Sequence, residues 1–318
     1  MASRQPGFQQ KPENIVNKLR GRRAFVAGAS GFIGTHLCRR LLEEGVEVHA
    51  LSRVRRVHND DGIQWSQGDL ADFPDTSRVM KKIKPDLIFN LAGHPVAARE
   101  VHQVQPSLFS NLVGTVSLLT AATEVGCSKV VLTGSLEEPE TSESSGVPSS
   151  PYAVSKWACS AYARMFHALY HLPVTIARVF MVYGPGQKDA VKLVPYVIRS
   201  LQNNESPRIT SGSRQIDWIY VTDVVEGFLA LATAEGMEGK SADLGSGNLI
   251  STQDLVMRIA SLMGSSLQPT LGAVADRPFE QVRVADVEHT YKMIHWRPVV
   301  SLSEGLQRTI EFFGEGRK

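Results

Sequence analysis

Short apolar runs alternate with helix-length amphipathic segments along the first 180 residues of the chain. The apolar runs lie at 24–27, 46–51, 87–92, 130–133 and 174–180, and the helical segments lie at 33–44, 75–83, 107–125 and 151–171. Buried parallel strands are continuous apolar runs, and each needs a crossover helix before the next strand. The pattern therefore predicts an α/β fold with a doubly wound parallel sheet.

Beyond about residue 180 this alternation loosens. Short extended pieces such as 217–221 separate the helical segments, which lie at 189–203, 223–234, 252–263 and 302–313. We therefore expect a flexible extension over 1–20, a main α/β domain over 21–180 and a smaller substrate domain over 181–318. Later strands are expected to complete the sheet of the main domain, so the two domains interleave.

A glycine-rich turn follows the first apolar run and precedes the first predicted helix. Glycines at such a turn let the backbone approach a pyrophosphate, whose charge the helix N-terminus favours. A plain turn is the alternative for a lone glycine motif. In this strand–helix context the turn predicts a Rossmann-type dinucleotide site, with contacts from Gly28, Ser30, Gly31, Phe32, Ile33 and Gly34.

Composition narrows the class of partner. Thirty-four basic and 32 acidic side chains give a net charge of +2, which argues against a nucleic-acid partner. No apolar run reaches the roughly 18 residues of a membrane span, so no membrane partner is expected. The three cysteines, Cys38, Cys127 and Cys159, lack the spacing of metal ligands, which predicts reduced thiols, no metal site and a cytoplasmic protein.

The end of the second predicted strand bears on the choice of cofactor. An acidic residue there normally accepts the ribose 2′-hydroxyl of NAD, whereas this chain has Ser52 and Arg53. A guanidinium suits a 2′-phosphate, so the sequence favours NADP, with NAD as the alternative. If NAD is bound, Arg53 belongs to a solvated run of charges.

Two further segments fit a cofactor groove, although both also fit plain turns. Asp69 and Leu70 follow an extended segment, and Asp69 is expected to accept a hydrogen bond from the adenine amino group. The small residues at the end of another strand are expected to let a ribose or nicotinamide approach, and they are Leu91, Ala92 and Gly93.

A tyrosine and a lysine mark the reactive half of the site. Tyr152 and Lys156 are four residues apart on a predicted helix, so their side chains share a face. An ammonium beside a phenol stabilises the phenolate, which lets tyrosine act as a general acid or base. Ser135 ends the preceding strand and is expected to bond the same substrate oxygen. The alternative for an isolated Tyr-x-x-x-Lys is a chance pattern.

Together these motifs resemble the extended short-chain dehydrogenase/reductases, in the group of nucleotide-sugar epimerases, dehydratases and reductases. The resemblance covers about residues 22 to 315. It rests on the glycine turn, Asp69, Asn111, Ser135 and the segments 90–93, 150–156, 183–187 and 220–224. It implies that Ser135, Tyr152 and Lys156 are catalytic and that hydride passes between a nicotinamide and C4 of a sugar. It also implies a homodimer paired through residues 107–125 and 151–171.

The triplet at the catalytic serine departs from the pattern of the family dehydratases. In the dehydratases that this chain resembles, the corresponding triplet is Thr-Asp-Glu or Thr-Ser-Glu. Its acidic residues remove the C5 proton and assist loss of the C6 hydroxyl. Here the triplet is Ser135-Leu136-Glu137, and leucine cannot transfer a proton. Glu137 remains a candidate catalytic residue, with a solvated loop carboxylate as the alternative.

The substrate side departs as well. Met181 replaces an asparagine that in the family bonds the phosphate side of the substrate, and Ile216 replaces a phosphate-binding arginine. Arg214 is a candidate substitute for that arginine, and Arg277 resembles the second diphosphate arginine of the family. The expected substrate-binding residues are His94, Arg99, Met181, Arg214 and Arg277.

These observations predict an NAD(P)-dependent nucleotide-sugar oxidoreductase that acts at C4. A 4-ketoreductase comes first, because Arg53 favours an NADPH that is consumed and exchanged. A 4-epimerase or a 4,6-dehydratase with no net redox change is the alternative. A noncatalytic dinucleotide-binding protein, or a reductase of a ketone without a nucleotide, would also account for part of the pattern.

Overall fold

The computed structural model describes residues 18–54, 62–139 and 147–315, and a seven-stranded parallel sheet is its largest element. The strands are β1 (Arg23–Ala27), β2 (Glu47–Ser52), β3 (Gln64–Gln67), β4 (Leu87–Asn90), β5 (Lys129–Ser135), β6 (Val174–Val179), β7 (Met181–Tyr183), β8 (Gln215–Tyr220), β9 (Ser241–Leu244) and β10 (Leu249–Ser251). The helices are α1 (Phe32–Glu43), α2 (Phe73–Ile83), α3 (Val104–Ser107), α4 (Gly114–Val125), α5 (Pro151–Tyr170), α6 (Leu193–Gln202), α7 (Val221–Thr233), α8 (Thr252–Leu262), α9 (Val287–Ile294) and α10 (Leu302–Glu315).

The main sheet has the strand order β3-β2-β1-β4-β5-β6-β9. Each neighbouring pair is parallel. The order runs outward from β1 in both directions, so a crevice opens between the carboxyl ends of β1 and β4. In open α/β sheets this switch point is where ligands bind. The predicted doubly wound parallel sheet is confirmed.

Helices cover both faces of this sheet, which explains why its strands are apolar throughout. On one face, Leu37 of α1 and Phe228 of α7 pack in a core with Val131 of β5. On the other face, Val130 and Leu132 of the same strand pack with α2, α4 and α5. Successive residues of a strand point to opposite faces. A strand that is buried on both faces therefore carries no polar alternation.

A smaller three-stranded sheet, in the order β10-β8-β7, lies in the C-terminal half. Its core is formed with α6, α8 and α10 around Tyr183, Trp218 and Leu306. Between β8 and β10 the chain returns to the main sheet, because α7 packs on it and β9 pairs with β6. Both halves of the chain thus contribute to the main sheet, and the exact domain boundaries stay a prediction.

The first described residues pack against the main α/β domain. Leu19 is fully buried in the main core, and the Lys18 ammonium lies 3.2 Å from a carboxylate oxygen of Glu235. Of the extension expected over 1–20, residues 1–17 lie outside the described residues. Its last three residues are therefore part of the fold.

A helical segment over Val101–Val125 is long and apolar enough to cross a membrane, by length and composition alone. It comprises a 3-10 turn, α3, a π-helical stretch at Leu108–Val113 and α4. Leu118 and Leu119 of α4 are buried in the core against the main sheet. The segment thus packs as a core helix of the α/β domain, whereas Phe109 and Trp157 of α5 are exposed. The homodimer expected through these helices stays a prediction.

Asp223, in the first turn of α7, links the main sheet to the C-terminal segment and is expected to make stability depend on pH. Burial raises its pKa to about 6 from an ordinary value of 3.8, and Glu226 and Glu304 add to the rise. Its carboxylate accepts the N–H of Val300 at 3.0 Å, which opposes the rise. Since the unfolded state releases this proton at lower pH, the group lowers the free energy of unfolding as the pH rises from about 4 to 6.

Asp223→Asn removes the titrating group. Relative to the wild type, the variant is therefore expected to gain about 2 kcal/mol in free energy of unfolding between pH 4 and pH 7. Urea denaturation of both proteins at the two pH values measures this difference. Identical pH profiles for the two proteins would contradict the expectation.

Candidate active site

The glycine turn brings α1 close to the exit of β4. Gly28 has φ +83°, and a Cβ there would lie 2.7 Å from the backbone nitrogen of Ala92. A Cβ at Gly34 would collide with the carbonyl oxygen of Gly28 and lie 2.9 Å from Cα of Ala29. Only glycine therefore lets the two backbones and the helix meet here. The N-terminus of α1 consequently opens into the crevice between β1 and β4.

The first turn of α1 suits an anion. Gly31 is its N-cap, and no side-chain cap or first-turn acidic residue occurs at this helix end in the described structure. Ser30 is exposed, and Phe32 and Ile33 are half-buried. Uncapped N–H groups and the positive end of the helix dipole favour a negatively charged ligand. The turn thus fits the pyrophosphate of a dinucleotide.

The adenosine end of such a dinucleotide would lie over the carboxyl ends of β2 and β3. Ser52 ends β2, and its hydroxyl accepts the N–H of Val54 at 3.3 Å. Arg53 and Asp69 are exposed, and Leu70 is buried. The Asp69 carboxylate also accepts the N–H of Ala71 at 3.0 Å, which is the geometry of a tight turn.

The start of α5 positions the tyrosine and the lysine. Ser150 caps the helix, because its hydroxyl accepts the N–H of Ala153 at 3.1 Å. Tyr152 lies in the first turn and Lys156 in the next, so both point to one side of the helix. The buried Lys156 ammonium donates to the carbonyl oxygen of Thr133 at 2.9 Å. Lys156 is thereby fixed to the strand that ends in Ser135.

Asn111 braces this arrangement from the π-helical stretch. Its amide donates to the Ser155 hydroxyl at 2.8 Å, and its carbonyl oxygen accepts the N–H of His94 at 2.6 Å. A Cβ at Gly93 would lie 2.7 Å from this carbonyl oxygen, so glycine is needed for the approach. The His94 ring bonds Gln103 at 2.7 Å. Asn111 therefore joins the loop after β4 to the helix of Tyr152.

A buried polar atom without a partner lies on the same strand. The Thr133 hydroxyl oxygen has no hydrogen-bond partner within the described ranges. Such groups in native proteins usually have a partner, which at functional sites is often a ligand or water. Together with the glycine turn and the uncapped helix end, this hydroxyl is consistent with a nicotinamide dinucleotide bound across the crevice.

Glu137 is buried and held by three groups, so the alternative of a solvated loop carboxylate is wrong. One carboxylate oxygen accepts the Ser149 hydroxyl at 3.0 Å, and the other accepts an Nη of Arg214 at 2.9 Å. Its backbone N–H donates to the Ser135 hydroxyl at 3.2 Å. The other Nη of Arg214 lies 3.0 Å from Glu280, whose pKa is raised by burial and by Glu137. Arg214 is therefore occupied by two carboxylates.

The remaining predicted substrate residues surround this cluster. Arg99 donates to the carbonyl oxygen of Ser149 at 2.7 Å and also bonds that of Pro278. Arg277 is half-exposed and lies 3.9 Å from Glu280. Met181 is half-buried and pairs in register with Trp218, so it packs against the apolar core of the smaller sheet.

Two cations at the site were missed by the sequence analysis. The Lys192 ammonium donates to the carbonyl oxygen of Pro95 at 2.8 Å, and burial lowers its pKa. Arg283 donates to the carbonyl oxygen of Leu136 at 3.4 Å. The sequence carries only a weak signal for these two residues. Lys192 lies within the predicted helical segment at 189–203, and Arg283 lies six residues after Arg277.

Known proteins resemble this chain over nearly its whole length. The model of the NAD-dependent epimerase/dehydratase family matches residues 24–245. The UDP-glucose 4-epimerase of Mycolicibacterium smegmatis is 32% identical over 92% of this chain and 98% of its own. The dTDP-D-glucose 4,6-dehydratase of Mus musculus is 27% identical over 92% of this chain and 88% of its own.

Solved structures of other proteins also resemble this chain over nearly its whole length. An epimerase of Methanothermobacter thermautotrophicus has a TM-score of 0.85 and 26% identity over 96% of this chain and 95% of its own. A Bordetella bronchiseptica enzyme, solved in complex with NADH, has a TM-score of 0.81 and 25% identity over 94% of each chain. The chain therefore belongs to the NAD-dependent epimerase/dehydratase family and is an enzyme of the extended short-chain dehydrogenase/reductase type.

Proposed function

We propose that the protein is a nucleotide-sugar 4-epimerase that uses NAD. The observation that carries this proposal is the combination of Tyr152 and Lys156 on one face of α5, with Lys156 fixed to the strand that ends in Ser135, and a Glu137 whose two oxygens are already bonded. Such a site can oxidise and reduce C4, and the ion pair of Glu137 with Arg214 disfavours its use as a base in a second reaction. The similarity to a UDP-glucose 4-epimerase over almost the whole chain supports the same reaction.

Tyr152 is the proposed acid and base. Its phenolate takes the proton of the C4 hydroxyl while the Ser135 hydroxyl bonds the same oxygen, and it returns the proton when C4 is reduced from the other face. Lys156 stabilises the phenolate by its positive charge, and the carbonyl oxygen of Thr133 fixes the ammonium. The bound nicotinamide supplies the hydride acceptor and donor.

Dehydration at C5 and C6 is disfavoured by the same geometry. That reaction needs acidic groups beside the sugar, and Leu136 is a buried apolar side chain. Glu137 accepts a hydrogen bond from Ser149 and is paired with the guanidinium of Arg214, and both contacts stabilise its charged form and weaken it as a base for the C5 proton. The site therefore favours a cycle that begins and ends at C4.

A 4-ketoreductase that uses NADPH is the second candidate, and Arg53 is the observation that favours it. The side chain is exposed at the end of β2, where a 2′-phosphate on the adenosine ribose would lie. A guanidinium binds such a phosphate well, and no acidic residue occupies the end of this strand.

One experiment separates these candidates. The purified protein is incubated with UDP-glucose or UDP-galactose without added cofactor, and the sugars are followed by NMR. We expect interconversion of the two sugars, because an epimerase regenerates its dinucleotide in every cycle. Mass spectrometry of the denatured protein is expected to show NAD. Bound NADP, with consumption of NADPH only when a 4-keto sugar is supplied, would contradict the epimerase and support the ketoreductase.

A further inference from the structure

Three charged side chains from distant parts of the chain form a cluster beside Ser135. Arg214 directly precedes β8, Glu137 follows β5, and Glu280 lies in the loop before α9. The guanidinium is 2.9 Å from Glu137 and 3.0 Å from Glu280. Their side chains are only 10 to 18% exposed. This charged triad carries two negative charges and one positive charge.

The triad adjoins the position of the reacting carbon. The backbone of Glu137 bonds the Ser135 hydroxyl, which in the proposed reaction holds the C4 oxygen. A hexose bound with C4 at Ser135 would therefore bring the substituents next to C4, including the group carried on C5, toward Glu137. Two other arginines near the triad, Arg277 and Arg99, are placed differently from Arg214. Arg277 is half-exposed, and Arg99 donates to two backbone carbonyl oxygens.

The hydrogen-bonding groups of the triad that are still free determine which chemical group of a substrate it can bind. Both Nη groups of Arg214 are bonded to carboxylates, whereas its buried Nε has no partner within the residues that the structure describes. A hydroxyl can accept from this Nε–H and donate to Glu137 at the same time. A carboxylate can only accept, and it would face two carboxylates that a single guanidinium already neutralises in part.

We propose that the triad of Glu137, Arg214 and Glu280 selects a nucleotide sugar whose hexose carries a neutral hydroxymethyl group rather than a carboxylate on C5. The inference rests on the proposed function, since it assumes that a nucleotide sugar is bound with C4 at Ser135. Glu137 is then a binding residue for the sugar. Arg214 and Glu280 are positioning residues that hold its carboxylate in place.

The test compares UDP-glucose with UDP-glucuronate, which differ only at C6, and repeats the comparison with the corresponding dTDP sugars. We expect kcat/KM to favour the neutral sugar by about 100-fold, because like charges placed together at an interface are strongly unfavourable. The difference is expected mainly in KM, since the C6 group is bound and does not react. Binding to Tyr152→Phe, measured by calorimetry, gives the same ratio without turnover.

Two variants test whether the triad is the cause. Glu280→Gln is expected to lower the preference for the neutral sugar to about tenfold, because one repelling charge is lost. Glu137→Gln combined with Glu280→Gln leaves Arg214 as the only charge and is expected to reverse the preference. Glu288→Gln is the matched control, since Glu288 is 69% exposed and paired with Arg297. It should leave the ratio unchanged.

The outcomes separate this inference from the proposed function. Equal or better use of UDP-glucuronate by the wild type, or a ratio that Glu280→Gln does not change, overturns the inference while epimerase activity stands. Preferential binding of the neutral sugar to Tyr152→Phe without epimerisation by the wild type overturns the proposed function and supports the selectivity. Failure of every nucleotide sugar to bind overturns both. If a variant of this buried triad fails to fold, equal or better use of UDP-glucuronate by the wild type still overturns the inference.

Discussion

Replacement of Tyr152 by phenylalanine is expected to lower kcat by about 10²- to 10⁴-fold, the range by which general acid–base groups contribute. The variant keeps the aromatic ring and loses only the hydroxyl that moves the proton. The fold should survive, because the contact of this residue with Ser155 is made by its backbone carbonyl oxygen. The affinity for the dinucleotide should change by less than about threefold, since the glycine turn after β1 and the contact of Lys156 with Thr133 remain.

Tyr162→Phe provides the control on the same helix. Tyr162 lies in α5 and is 40% exposed, so loss of its hydroxyl should change neither kcat nor stability. NMR measurement of sugar conversion and fluorescence titration with NADH compare the two variants. If Tyr152→Phe retained more than half of the wild-type activity, the proton would be moved by another group and the assignment of the site would fail.

The part of the fold that was predicted correctly and the local motifs of the candidate site both depend on residues near in sequence. The main sheet follows from apolar runs and crossover helices, which are local patterns. Lys156 shares a helix face with Tyr152 because the two are four residues apart. The glycine turn was recognised because its three glycines lie within seven residues. Each of these features is set by a short segment of chain.

The features that were missed depend on contacts between distant segments. The contact of Arg214 with Glu137, which lies 77 residues earlier, was not predicted, whereas its expected role in place of a phosphate-binding arginine stays a prediction. The completion of the main sheet by a later strand was expected, but the position of that strand was not: β9 pairs Ser241 with Ile176, and a strand of four residues gives little signal of its own. The π-helical stretch around Asn111 is part of a continuous helical segment, and its apolar pattern resembles that of an ordinary α-helix.

These two groups of features differ in what they determine. The local motifs predict the dinucleotide site and the acid–base pair. In the proposed reaction, the distant contacts of Glu137 with Arg214 and Ser149 set the charge beside the sugar. The family and the enzyme type are thus readable from the sequence, whereas the 4-ketoreductase reaction that the sequence favoured is not confirmed, and substrate preference depends on how separate loops are brought together.

Gly34→Ala is expected to have the largest effect on stability and cofactor binding. The added Cβ would overlap the carbonyl oxygen of Gly28 and lie 2.9 Å from Cα of Ala29. Both are backbone atoms of a tight turn, so neither can move without shifting α1. We expect a loss of about 3 kcal/mol in free energy of unfolding, at the upper end for overpacking. Because the helix N-terminus also moves from the crevice, NADH affinity should fall by about 100-fold.

Gly314→Ala is the control, in which the added Cβ has no close neighbours among the described residues. Gly314 lies in the last turn of α10, and a Cβ there would meet no heavy atom within 4 Å. The control should be neutral or stabilise the protein by up to about 1 kcal/mol, since alanine favours a helix. Urea denaturation and NADH titration measure both variants. If Gly34→Ala bound NADH as tightly as Gly314→Ala, the close approach of α1 to the turn would not be what forms the dinucleotide site.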